Sequence, residues 1–158
     1  MLPNSPKTSY HQSRSIPNLD DDFMELKAVA SRPTNAGCAA TGSRGRLRTT
    51  RLLNEMKAIA ADETACKYDI YVSERDSSFW KCVVQGPDVS PYSAGSFLLY
   101  IHAEDNYPTF APKARLLTKI RHPTVNPNGR ICHSIFDRDW TSDTNMTTLL
   151  DTVYGLLL

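Results

Sequence analysis

Four cysteines and four histidines are the side chains of this 158-residue chain best suited to nucleophilic or metal chemistry. Cys132 is the most suggestive of them. It follows the turn-forming pair Asn128-Gly129 and lies between Ile131 and His133. A thiol beside a tight turn can stand exposed while its apolar neighbour anchors the loop; the alternative is a buried thiol acting as a small hydrophobe. Cys82 alternates within an apolar strand and reads as core, Cys66 as a helix-end residue, and Cys38 as part of a polar arm. His122 and His133 flank Cys132 and suggest a Cys–His hydrolase. A general base must lie within hydrogen-bond reach, however, and adjacency in an extended segment turns His133 away from the thiol. No second ligand pair stands at zinc spacing, and there is neither a phosphate-binding loop nor a dinucleotide fingerprint, so no metal or cofactor is expected.

These residues need elements to hold them. Leu52, Met56 and Ile59 recur at helical spacing, with Leu53 widening the stripe, which predicts an amphipathic helix over 46–60. Alternation and β-branched or aromatic content predict strands at 67–72, 79–84 and 97–103, with a fourth near 114–118. Short links between consecutive strands favour an antiparallel meander. Beyond Lys119 the periodicity stops for about 25 residues, a length that inside a compact domain marks a functional loop. Met146, Leu149, Leu150, Val153, Leu156 and Leu157 then form a second helical stripe, with Asp143, Thr144 or Asn145 available to cap it. Helix, meander, long loop and helix make an α+β layout.

Residues 1–45 contain only nine of Met, Leu, Ile, Val, Phe, Tyr and Trp, too few to offset chain entropy, and are expected to be disordered. Within them, 20–26 could form a short capped helix. The chain ends on an apolar helix with no stop signal, which reads as a truncation. A formal net charge of +1 argues against a nucleic-acid or anionic-membrane partner, and no apolar run is long enough to span a bilayer. With no targeting signal visible, cytoplasmic or nuclear residence is expected.

The order of motifs is more specific than any one of them. Trp80, Gly86-Pro87, Ser90-Pro91-Tyr92, Gly95, Phe97, Tyr107-Pro108, Pro112, His122-Pro123, Gly129, Ile131-Cys132 and Trp140 follow one another with the gaps of the ubiquitin-conjugating (E2) family. The sequence resembles that family over 46–158. The resemblance implies a UBC-like fold: an N-terminal helix, a four-stranded antiparallel meander, an active-site loop and a central helix, with the family's last two helices lying beyond Leu158. It implies that Cys132 takes ubiquitin or a ubiquitin-like modifier from an E1 activating enzyme as a thioester. The modifier then passes to a substrate lysine or to an E3 ligase. An alternative is an impaired E2-like variant that binds modifiers or ligases without transferring. A chain without the last two helices is expected to melt below an extended one, and equal melting temperatures would refute that.

Three departures bear on activity. The family's His-Pro-Asn reads His122-Pro123-Thr124, and that asparagine is the residue implied to brace the loop and to stabilise the oxyanion. His133 and Ser134 stand where an aliphatic and often an acidic residue are usual, and His133 reads as a loop-packing residue before a base. The implied surface for E1 and E3 carries Arg48 and Arg51, then Pro108 and Thr109, then Ser142. An aromatic anchor and a second proline are missing, so weak or unusual ligase pairing is expected.

Overall fold

A computed structural model describes residues 23–26, 28, 43–62 and 67–158. The helical stripe folds as predicted and starts slightly earlier: α1 spans Ser43–Ala61, with Leu52, Met56 and Ile59 buried. The meander consists of β2 (Tyr68–Ser73), β3 (Phe79–Gln85), β4 (Ser96–His102) and β5 (Lys113–Leu116), each antiparallel to the next. Alternation sends Tyr68, Ile70 and Val72, then Trp80, Cys82 and Val84, then Phe97, Leu99 and Ile101 to one face. Those residues meet the helices there. The β2–β3 link is closed by the Asp76 carboxylate, which accepts from the Ser78 N–H at 2.9 Å. The second helix, α2 (Met146–Leu156), buries Met146, Leu149, Leu150 and Val153, and Asn145 caps it by accepting from the Thr148 N–H at 2.8 Å.

The sheet has five strands, because a short β1 (Phe23–Glu25) precedes the helix and pairs antiparallel with β2. Its register places Phe23 opposite Ser73, Met24 opposite Val72 and Glu25 opposite Tyr71. The stretch expected to be disordered, or at most a capped helix, therefore contributes an edge strand; apart from 23–26 and 28, the residues before the helix, including Cys38 and Asp20–Asp22, lie outside the described set. Three residues are too few for a readable period, and the unpaired backbone groups along β2 supply the template that their own sequence does not. Leu26 follows the strand into the core at 2% exposure. Phe23 lies on the outer face, its ring centroid 4.1 Å from the Lys81 ammonium, which is why Lys81 is buried on the side where alternation expects an exposed residue. Leu26→Ala is expected to destabilise the domain by about 2 kcal/mol in urea unfolding and to speed amide exchange along β2. An unchanged midpoint and exchange pattern would mean that this segment does not dock.

Candidate active site

The loop after β5 is held by backbone geometry that only certain residues allow. His122 and Val125 close a tight turn, with the Val125 N–H donating to the His122 carbonyl at 3.1 Å. The Asn126 side-chain oxygen accepts from the N–H groups of Asn128 and Arg130, at 3.0 and 2.9 Å, and so fixes a second turn. Gly129 sits there at φ +76°, and its carbonyl accepts from the Leu116 N–H at 2.9 Å. A Cβ at this position would stand 1.9 Å from the Leu116 carbonyl oxygen, so the loop approaches β5 closely enough to require glycine.

The Gly-Pro and Ser-Pro-Tyr motifs brace the same loop from the other side. Ser90 Oγ donates to the Pro87 carbonyl at 3.0 Å and accepts from the Tyr92 N–H at 3.1 Å. Tyr92, packed edge-on against Phe97, then donates its hydroxyl to the Arg121 carbonyl at 2.7 Å. Its ring lies 6.0 Å from that of His122. The role of Tyr92 was not legible in the motif, since the bond spans 29 residues.

Cys132 is exposed at the end of this scaffold, and its N–H donates to the Thr124 carbonyl at 2.7 Å. The Thr124 N–H donates to His122 Nδ1 at 3.2 Å, and the Thr124 hydroxyl lies 2.8 Å from the same nitrogen. A nitrogen that accepts from a backbone N–H carries no proton, so the hydroxyl is the donor and the ring proton sits on Nε2. The single hydroxyl hydrogen of Thr124 is thus engaged inside the loop. His133 caps the 3-10 turn Ser134–Phe136, its Nδ1 accepting from the Ile135 N–H at 3.2 Å. Both Nδ1 atoms face backbone N–H groups of their own loop and not the thiol.

Cys82 lies at 0% exposure, where burial pushes its thiol far above the ordinary range. Native-state alkylation followed by peptide mapping is expected to label Cys132 and to spare Cys82 until the protein is denatured. Early labelling of Cys82 would contradict the packing. Cys66 and Cys38 lie outside the described residues.

The remaining candidates converge through a network that the sequence did not reveal. Glu55, 7% exposed on the apolar side of α1, accepts from Arg51 Nε. Its carboxylate also lies 2.8 Å from the Tyr107 hydroxyl and accepts from the Met146 N–H at 3.2 Å. Arg51 donates as well to the Thr144 carbonyl at 3.0 Å. Burial first, then the Glu55 charge, pushes the Tyr107 phenol upward, so this group stays a neutral donor. Trp140 Nε1 donates to the Pro108 carbonyl at 2.8 Å. These bonds bring α1, the 107–110 segment and the 140–144 segment side by side. Arg51 is held from within, and Arg48 pairs with Asp105 at 2.8 Å while donating to the Ala103 carbonyl at 3.3 Å. Thr109 and Ser142 are exposed, and Pro108 is half-buried. Phe110, at 62% exposure, supplies an aromatic one residue after the place where the resemblance leads one to look.

The ubiquitin-conjugating enzyme family matches residues 51–158, the span that carries the loop, its braces and Cys132. The chain belongs to that family of ubiquitin transferases. Relatives include the probable bifunctional E2/E3 enzyme R795 of Acanthamoeba polyphaga mimivirus, 47% identical over 154 residues and covering 94% of this chain but 12% of that protein. Ubiquitin-conjugating enzyme E2 S-A of Xenopus laevis is 35% identical over 89 residues, covering 56% of this chain and 40% of its own. Ubiquitin-conjugating enzyme E2 13 of Saccharomyces cerevisiae is 38% identical over 79 residues, covering 50% and 52%. The chain therefore spans about half or less of the length of each of these relatives. A match over 94% of the chain necessarily runs through Phe23–Leu26, so the likeness to the viral protein takes in the edge strand as well as the family domain.

Proposed function

We propose that Cys132 carries ubiquitin, or a related modifier, as a thioester received from an activating enzyme and yields it to a lysine or a ligase. The observation that carries this reading is the exposed Cys132 thiol, held on a rigid loop within a family of ubiquitin transferases. In the first step the Cys132 thiolate attacks the thioester carbonyl of the charged activating enzyme, and the enzyme's own thiolate leaves. Exchange between thiols of similar pKa needs exposure more than it needs a base. In the second step a lysine amine attacks the new thioester, the Cys132 thiolate leaves, and the amine proton passes to solvent. That step goes through a tetrahedral oxyanion, which gains most from a fixed donor.

The surface formed by Arg48, Arg51, Pro108, Thr109 and Ser142 is the proposed contact for E1 and E3. With both arginines engaged inside the molecule, the exposed Phe110 is left as its apolar element. A second reading, a modifier- or ligase-binding protein that does not transfer, draws support from the engagement of the Thr124 hydroxyl with His122. A pulse-chase separates the two. Protein charged with E1, ATP and ubiquitin is chased with free lysine, and steady loss of the adduct to a ubiquitin–lysine product supports the transferase. An adduct that decays no faster with lysine than with buffer favours the binding protein.

A further inference from the structure

We infer that Arg115 and Arg130 form an anion-recognising subsite beside Cys132, one that selects acceptor lysines with acidic neighbours; this rests on the reading of Cys132 as the carrier. The two arginines are direct cross-strand partners, Arg115 on β5 and Arg130 on the active-site loop, in an antiparallel bridge. Like charges directly opposite on neighbouring strands repel, and folding gains nothing from placing them so. Both are exposed, and among the described residues neither has a carboxylate partner. Lys113, two residues from Arg115, is by contrast paired with Glu104. The Arg115–Arg130 pair is left unneutralised at the one edge of the sheet that leads into the thiol.

Position supplies the function. Ile131 turns into the core at 4% exposure, so alternation puts Arg130 and Cys132 on the same outer side, their Cα atoms about 7 Å apart. The backbone beneath them is fixed by bonds from the Arg130 N–H to Asn126, the Cys132 N–H to Thr124 and the Leu116 N–H to Gly129. A substrate that brings a lysine to Cys132 in an extended segment advances about 3.3 Å per residue, so its next one or two side chains pass over the arginines. Guanidinium groups bind carboxylates in planar, two-bonded fashion. Aspartate or glutamate flanking the acceptor lysine matches this pair, and a basic flank is repelled.

The test chases the ubiquitin-charged protein with short peptides that hold one central lysine flanked by glutamates, alanines or arginines, with free lysine as the reference. The glutamate-flanked peptide is expected to react with a kcat/KM about three- to tenfold above the alanine-flanked one, and the arginine-flanked peptide below it. The spread should narrow as salt is raised. The double variant Arg115→Ala with Arg130→Ala is expected to equalise the peptides, and Arg115→Glu with Arg130→Glu to reverse their order. Equal rates on the unmodified protein, or a preference that survives the alanine pair, would overturn the subsite. Binding of the same fluorescent peptides to uncharged protein gives a readout independent of transfer. If no thioester forms, the carrier reading fails, while glutamate-selective binding that is abolished by the alanine pair still upholds the anion site and its absence overturns it.

Discussion

Replacing Thr124 by asparagine is expected to speed discharge onto free lysine by roughly 10²-fold, with thioester formation unchanged. Threonine has one hydrogen to donate, and here it points to His122 Nδ1 while the Thr124 carbonyl anchors the Cys132 N–H. An asparagine amide has two, so one can brace the loop and the other can meet the developing oxyanion. One oriented donor in such a site is worth about 10²–10³ in rate. Single-turnover discharge of the two proteins, matched for charged fraction, reads the difference. Equal rates would show that another group already serves the oxyanion and that Thr124 is no handicap. Thr124→Val is the complementary case. It removes the hydroxyl but keeps the shape and the carbonyl, and a further loss of discharge in it would assign the hydroxyl to the oxyanion after all.

Glu55→Ala is expected to destabilise the domain by about 3–5 kcal/mol. The carboxylate is nearly buried and serves three donors at once: Arg51, the Tyr107 hydroxyl and the first N–H of α2. Removing it leaves a half-buried guanidinium and a buried phenol without their acceptor, which is more damaging than losing an exposed pair. A small domain holds about 5–15 kcal/mol in total, so the variant should unfold at much lower urea than the parent. Glu55→Gln keeps the shape and one acceptor and should fall between the two. A shift under about 1 kcal/mol for the alanine variant would mean that water replaces the carboxylate and that the network does not organise the junction.

What the sequence could show depended on whether a signal was local. Trp80, Cys82 and Val84 alternate, and Met146, Leu149, Leu150 and Val153 step at helical spacing, so the strands were readable within a residue or two and the first helix within three. The turn at Asn128-Gly129 was readable too, because the positive φ at Gly129 is a one-residue requirement. Phe23–Glu25 became a strand only because β2 offered an edge to pair with, and no three-residue window carries that information. Glu55 sits one turn from Arg51 on an apolar stripe, a charge out of place that could have been questioned, yet its partners Tyr107 and Met146 lie 52 and 91 residues away. The Arg115–Arg130 contact needs the register between β5 and the loop, which only the folded chain supplies. Phe110 stands exposed one residue beyond position 109, where the resemblance places the aromatic, so the motif alone does not point to it.

The central claim is that Cys132 is the acyl carrier, and a charging assay tests it most directly. The protein is incubated with activating enzyme, ATP and ubiquitin and run on a non-reducing gel beside Cys132→Ala. The expected result is an adduct that reducing agent destroys and that the alanine variant never forms. An adduct that persists in Cys132→Ala, or no adduct from folded protein with ubiquitin or any related modifier, would contradict it.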